Sequence, residues 1–528
     1  FSGVRYQEQP IYRDRETLVA GAQWQTETWD INVDWIAGYE DETRDDRRFW
    51  YNWGDVYNRF SGDMTVLNYE TADALPDIAE PTLGTLYSYE FEGADDARRM
   101  QPLANGLYRQ VPRSSDVKVG GINVEWNNGD NWTIEADFGY ADQQTLRTLE
   151  RLRTRMNTDW RDGTGLPRFE DGVSGTYDIT SGYPIAMLYD SFGEMVDPMD
   201  TSHQYIEQLR RTTTKEEGDD ISLRLDFTYA LDDSDGGLSS FLDDVRFGLA
   251  RNDMQFARRQ VQKQYSDVTD FDINDIGFVA SDQIMTHVNV PGFVHQFAVG
   301  DINDPLFADW LSSPFGYEVQ QNEEFDVTEE IQGLYVQGNF SGGDRFPYRG
   351  NIGIRYVETE QSNVGWVGDG NEDDFLVTNS REYDHTLPSL NLAFDLTDEW
   401  VLRFAANKAL TRPDPIDMSA RIETNDIEDA DEDRAEGGNP NLEPYTTVNY
   451  DVSVEWYPER GGSYGLGIFY KDLESFIARG SSPEIIEIDG VPREFDVRRP
   501  VNTDGGTITG VEFQFHAPLD FLPGFLQY

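Results

Sequence analysis

Between Thr447 and Trp456 polar and apolar positions alternate without interruption: Val448, Tyr450, Val452, Val454 and Trp456 against Asn449, Asp451, Ser453 and Glu455. A period of two places the two sets on opposite faces of a β-strand. The pattern recurs at Leu18–Trp24, Trp29–Tyr39, Ile122–Trp126, Trp132–Tyr140, Ile221–Tyr229, Val245–Leu249, Leu334–Phe340, Ile352–Tyr356, Val401–Leu410, Gly465–Tyr470 and Thr507–Phe515. It predicts about thirteen strands, most near the roughly 9–11 residues that a tilted strand needs to cross a bilayer.

The connections sharpen this picture. Short turns near 26–28, 127–131, 231–243, 341–349, 395–399, 457–463 and 517–523 alternate strictly with long polar excursions near 41–115, 141–219, 252–329, 359–386, 411–446 and 472–506. Loops of that length are uncommon in compact soluble domains, whereas an outer-membrane barrel has short periplasmic turns and long extracellular loops by construction. Trp24, Trp29, Trp126, Trp132, Trp400 and Trp456 fall beside short turns, where amphipathic rings would form a girdle at headgroup depth. The expected fold is all-β: an antiparallel transmembrane β-barrel, partial, about thirteen strands of a larger one. Its apolar rows face hydrocarbon and its polar rows a wet lumen. Rows such as Thr133, Glu135 and Asp137, or Ser222, Arg224, Asp226 and Thr228, line that lumen, and their acidity disfavours a polyanionic ligand.

Composition narrows the partners. With 42 basic against 99 acidic residues and a net charge of −57, the chain lacks the positive surface that nucleic acid requires. There is no Cys, so disulfides and thiolate metal sites are unavailable. No apolar run reaches the roughly 18 residues of a membrane helix. The five His are scattered outside any zinc spacing, and no nucleophile elbow, phosphate loop or dinucleotide fingerprint is present. No enzyme, no cofactor and no metal is expected.

Four stretches in order along the second half resemble the TonB-dependent outer-membrane receptors. Leu387–Pro415 resembles the family's hairpin and its Thr-Arg-Pro, with Arg412 and Pro413. Gly438–Tyr457 resembles the Asn-Pro-x-Leu-x-Pro loop exit (Asn439, Pro440, Leu442, Pro444) and the strand that follows. Gly465–Ile477 resembles the Phe-Tyr-Lys-Asp strand end, and Gly505–Gly524 the Gly-x-x-x-Gly-Val-Glu strand with Gly510 and Glu512. These motif residues are read as structural punctuation, since Pro suits the ends of ladders. The sense of the whole resembles the proteobacterial carbohydrate-type subgroup.

The resemblance implies a Gram-negative outer membrane, contact with its lipid, a monomer, and active import energised by the TonB complex through a plug. Family barrels have about 22 strands, so residues 1–528 are expected to be the barrel domain alone, an internal fragment lacking the N-terminal plug and the last strands. The substrate would be scarce or large, an oligosaccharide first and a ferric chelate next. A passive porin and a soluble secreted glycan-binding β-protein are the rival readings.

Candidate substrate contacts are aromatic. Arg48, Trp50, Tyr51, Trp53 and Tyr57 crowd one excursion, and Trp160, Trp310 and Trp366 lie in others. Flat rings suit sugar C–H faces, with polar neighbours for hydroxyls. Asp429, Asp431 and Asp433 resemble a calcium loop only in part, lacking its Gly and distal Glu, and are read as a solvated acidic loop.

Overall fold

The computed structural model describes residues 3–52, 68–70, 83–87, 103–156, 174–178, 185–189, 195, 197–201, 204–231, 241–265, 276–289, 293–369, 374–425, 433–459, 461–488 and 491–517. Thirteen strands form the wall. They are β1 (Gly3–Glu8, continuing past Pro10 as Ile11–Gln25), β2 (Trp29–Asn52), β3 (Leu103–Asn127), β4 (Trp132–Met156), β5 (Gln204–Ala230), β6 (Asp244–Tyr265) and β7 (Phe325–Gly342). They continue as β8 (Tyr348–Gly368), β9 (Phe375–Asp395), β10 (Trp400–Thr411), β11 (Tyr445–Trp456), β12 (Ser463–Ile488) and β13 (Val491–His516). Each pairs antiparallel with the next, from β1–β2 to β12–β13. Among the described residues, Ile11–Gln25 is paired on one side only, and it is exposed along its whole length.

The alternation does what the pattern predicts. One face carries exposed apolar side chains, among them Trp35, Phe138, Leu223, Leu249, Leu334, Ile352, Val452, Ile468 and Val511. A water-facing sheet could not leave so broad an apolar band uncovered, and between neighbouring strands the backbone groups along it are paired in ladder bonds, as lipid requires. Rings meet at the turn ends: Trp132 lies 4.8 Å from Tyr229, and Trp400 stacks on Trp456 at 5.7 Å. The Trp456 indole N–H donates to Glu399 at 3.0 Å, keeping its polar edge at the turn side.

The strands correct the expectation in one respect. Most are much longer than a membrane crossing, up to the 27 residues of β5, whereas β10 and β11 have 12 each. The excursions at 359–386 and 472–506 are β-structure rather than loops: β8 and β9 stay paired to Val367↔Phe375, and β12 and β13 to Ile488↔Val491. Polar side chains on both faces hide such arms from a hydropathy reading, because beyond the bilayer neither face needs to be apolar.

Two short strands show that the sheet curls. Ile422–Asn425 pairs parallel with the end of β8 and antiparallel with Asp433–Gly437. Asp433–Gly437 in turn pairs parallel with β13 at Phe495. A bridge from β8 to β13, with β9 to β12 between them, requires curvature. Val367, Ala435, Ile486, Phe495 and Val497 form a buried cluster where it crosses.

A second body packs on the other side of the wall. Residues 276–289 and 293–313 form a two-strand ladder, Phe278–Ala280 with Ala298–Gly300, and the helix α1 (Pro305–Ser312). Asp304 caps α1 by accepting from Leu306 N–H at 2.8 Å, and it also receives Gly277 N–H at 2.6 Å. Phe297, Val299, Ile302 and Phe307 bury themselves with Tyr6, Phe49, Leu152 and Leu209. By register these wall residues share the face that carries Trp29, Phe138 and Leu223 lower down, so this body clothes the outside of the protruding wall.

Candidate ligand-binding vestibule

The inner face is set by the same alternation. In β2 the row Trp29 to Tyr39 points to lipid, so Glu42, Arg44, Asp46, Arg48 and Trp50 point inward above it. Register then assembles rows across four strands. Asp46 is opposite Arg109 on β3, Arg109 opposite Arg151 on β4, and Arg151 opposite Arg210 on β5. Four residues further down, Glu42 is opposite Arg113, Arg113 opposite Arg147, and Arg147 opposite Thr214. One row lower, Ser115 and Thr145 hydrogen-bond at 3.1 Å, and Glu216 is opposite Arg258 on β6.

Asp46, wholly buried, organises the upper row. Its carboxylate accepts from Arg109 Nη2 at 2.6 Å, Arg48 Nε at 2.8 Å and Gln7 Nε2 at 2.9 Å, and Arg48 adds a second bond through Nη2. Glu42 is held by Arg13 Nε at 2.9 Å and Arg44 Nε at 2.6 Å, and those bonds keep its carboxyl below the usual carboxylate range. Arg147 and Arg210 sit differently. Burial first, then the charges of Arg109, Arg258 and Arg44, hold the Arg147 guanidinium below its ordinary value, against the opposing pull of Glu216. Burial does the same to Arg210, against the opposing pull of Glu423 and Glu323. A guanidinium keeps its proton regardless, so these directions measure how poorly the surroundings welcome positive charge.

The far side of the vestibule is formed by residues 411–425 and 433–446, folded inward. Met418 packs on Phe325 and Val327 with Phe256 alongside, and Phe256 stacks on Phe325 at 5.8 Å. Glu323 links wall to loop, 3.3 Å from both Arg258 and Arg421. At Gly365 a Cβ would overlap the backbone of Ala420 and Arg421, so only glycine admits the loop this close. The Thr-Arg-Pro and Asn-Pro-x-Leu-x-Pro residues anchor it. Arg412 donates to Thr359 Oγ1 at 3.1 Å, and Asn439 Nδ2 to Pro500 O at 3.0 Å. Leu442 is fully buried, and its carbonyl accepts from Arg381. Pro413 and Pro440 flank these anchors, and the Pro444 carbonyl accepts from Ser475 Oγ at 3.3 Å. On β12–β13 a Cβ at Gly510 would overlap the Phe469 ring, and Glu512 pairs with Gly467.

The sequence-derived aromatic set divides. Arg48 and Trp50 face inward, with the Trp50 ring 6.0 Å from the Arg153 guanidinium. Trp310 lies in the outer body, its ring 4.6 Å from Lys263 Nζ. Trp366 is on the outward side of β8, opposite Leu376. Trp53, Tyr57 and Trp160, and the side chain of Tyr51, lie outside the described residues, as do Asp429 and Asp431. Among the described residues no group of three His, Asp or Glu is placed to hold a metal ion. Periodicity reading missed Arg109, Arg113, Arg147, Arg151 and Arg210. The available signal was the alternate-position run Arg147, Arg151, Arg153 within a stretch assigned to loop.

Among solved structures the chain is similar to a ferric enterobactin receptor (PfeA) from Pseudomonas aeruginosa, at 11% identity and TM-score 0.37, covering 96% of this chain and 60% of that one. It is similar to the siderophore receptor PiuA from Acinetobacter baumannii, at 10% identity and TM-score 0.38, with 97% and 60% covered. It is also similar to the ferric-catecholate import receptor Fiu from E. coli, at 8% identity and TM-score 0.41, with 98% and 62% covered. The chain thus spans about three fifths of the length of these receptors. Among curated protein sequences none matches significantly. The family model described as "TonB dependent receptor-like, beta-barrel" matches residues 150–528. With apolar rows turned to lipid, polar rows turned inward and that match over most of its length, the chain belongs to the TonB-dependent receptors of the Gram-negative outer membrane and forms β-barrel wall.

Proposed function

We propose that this wall belongs to an active importer, one that takes a scarce solute from outside the cell and moves it inward with energy delivered through TonB. The observation that carries the reading is the folded-in excursion of residues 411–425 and 433–446. Its Arg421 pairs with Glu323, which also pairs with Arg258 on the inner face of β6, so the excursion lies against the inner wall rather than standing clear of it. Long protruding strands raise this vestibule above the bilayer, where a solute is met before it reaches the acidic lumen lined by Glu135, Asp137, Asp226 and Glu455. The solute is an oligosaccharide or a ferric chelate, too large or too scarce for passive diffusion to supply. The family lends the energy coupling, and no catalytic step is assigned.

The test is uptake by cells expressing the full-length receptor, with and without a functional TonB. Import reads as accumulation that disappears when TonB is removed. Accumulation that persists without TonB identifies a porin, and protein recovered in buffer without detergent identifies a soluble binder; either result overturns the proposal.

A further inference from the structure

Resting on the import reading, we propose that the inner face of β3, β4 and β5 is a binding site for a polyanion. The ligand carries several carboxylate, sulfate or iron-bound phenolate oxygens, held by Arg109, Arg113, Arg147, Arg151 and Arg210.

Register is the first support. Arg109, Arg151 and Arg210 stand side by side on consecutive strands, at the roughly 4.5–5.5 Å separation of paired residues. Arg113 and Arg147 repeat the pairing four residues along, about 13 Å away at strand rise. Like charges directly opposite one another destabilise a sheet, a cost that Asp46 offsets at Arg109.

Charge distribution is the second. A chain with 99 acidic and 42 basic residues had ample acid to place here. Yet among the described residues Arg113, Arg147 and Arg210 have no carboxylate within 4 Å, and Arg210 Nε donates to an amide, Gln262 Oε1, at 2.5 Å. The acids in these rows, Glu42 and Asp46, stand at the β2 end and are bonded to Arg13, Arg44, Arg48 and Arg109, and further acids lie lower down. The lumen at membrane depth carries Glu135, Asp137 and Asp226, so a polyanion is attracted at the mouth and opposed below it. Such a two-tier field holds the ligand until something else moves it.

Residue type is the third. All five are Arg, whose planar fork matches two oxygens of a carboxylate, sulfate or chelate rim, while Lys offers only a point charge. A neutral sugar would leave those forks facing hydroxyls.

The test uses full-length receptor in detergent and calorimetric titration with three probes: a ferric tris-catecholate, a uronic-acid tetramer, and neutral maltotetraose. At least one anionic probe binds and maltotetraose does not. The affinity falls steeply between about 50 and about 500 mM salt, because screening weakens each charge contact. Arg147→Gln with Arg210→Gln weakens binding at least tenfold, and Arg147→Lys with Arg210→Lys recovers part of it. Whichever anionic probe binds identifies the source of the oxygens. The proposal is overturned if neither anionic probe binds, if affinity is indifferent to salt in the unaltered protein, or if a heat-modifiable double Gln variant binds as tightly as the parent. Binding is measured without TonB, so its failure removes the arginine site while TonB-dependent uptake of an uncharged solute would keep the import reading.

Discussion

Arg109 faces Arg151 across the β3–β4 ladder, and the only carboxylate described at Arg109 is the buried Asp46, 2.6 Å away on β2. Asp46 therefore does two things: it offsets one member of a like-charge pair, and it fixes where that guanidinium points. Asp46→Asn leaves Arg48 and Arg109 without the carboxylate that pairs with them, and removing one partner of a buried pair costs about 3–5 kcal/mol. Part of that is recovered here because Arg48 and Arg109 are themselves partly exposed. The expected result is a clear fall in the temperature at which the detergent-solubilised barrel loses its compact gel migration. Asp46→Glu should lose less.

Glu42 gives the vestibule a pH dependence with a definite sign. Hydrogen bonds from Arg13, then from Arg44, hold its carboxyl below the ordinary value in the folded protein. A carboxylate depressed by folding adds stability that is fully present above its unfolded pKa of about 4.3. That stability is lost as pH falls through the lower, folded value. Melting curves between about pH 7 and pH 3 should show this loss in the parent. In Glu42→Gln the curves should be lower at neutral pH and flatter across that window. Parallel curves for the two proteins would remove Glu42 as the titrating group.

How far the sequence disclosed these features depends on the kind of pattern involved. Lipid-facing rows such as Ile221, Leu223, Leu225, Phe227 and Tyr229 were legible because one face must be apolar and the other must not. Strand ends were not, since above the bilayer that contrast vanishes. Ile486, Phe495 and Val497 pack on a bridge strand from another excursion, which periodicity cannot announce. The arginine rows were hidden for a related reason. Arg109, Arg151 and Arg210 come from three strands, and only the register that sets them abreast turns separate basic residues into a surface. Trp310 shows the converse. It was conspicuous as a loop tryptophan, but Lys263 and the α1 body hold it on the outer side of the wall.

Two cations, Lys263 and Arg211, hold the C-terminal end of α1, Arg211 donating to Leu311 O. Lys263 Nζ donates to Ser313 O at 2.8 Å and also to Trp310 O, so it occupies the C-terminal end of the helix where carbonyls lack intrahelical partners. Lys263→Met keeps most of the aliphatic stem and removes these bonds, a loss of about 1–3 kcal/mol for charge-assisted bonds to buried groups. Amide exchange across 276–313 should quicken about tenfold or more, at 1.4 kcal/mol per decade, while exchange in β4 and β5 stays slow. Uniform quickening through the wall would mean that Lys263 supports the barrel as a whole.

Leu442 tests whether the inward excursion is a fixed part of the vestibule. Its side chain is fully buried, its carbonyl receives Arg381, and the next residue is clasped on both sides by Asn502, through Glu443 N at 2.9 Å and Glu443 O at 2.9 Å. Truncation to Ala removes buried methyl groups without touching any of those bonds. The cost is therefore packing alone, about 2–5 kcal/mol for a buried leucine. Because the segment is tied to β9 and β13 rather than to the lipid-facing rows, that loss should be felt locally. The expected outcome is new protease sensitivity within 411–446 at unchanged heat-modifiable migration. Full protease resistance in Leu442→Ala would show that the Arg381 and Asn502 bonds hold the excursion without the leucine's packing.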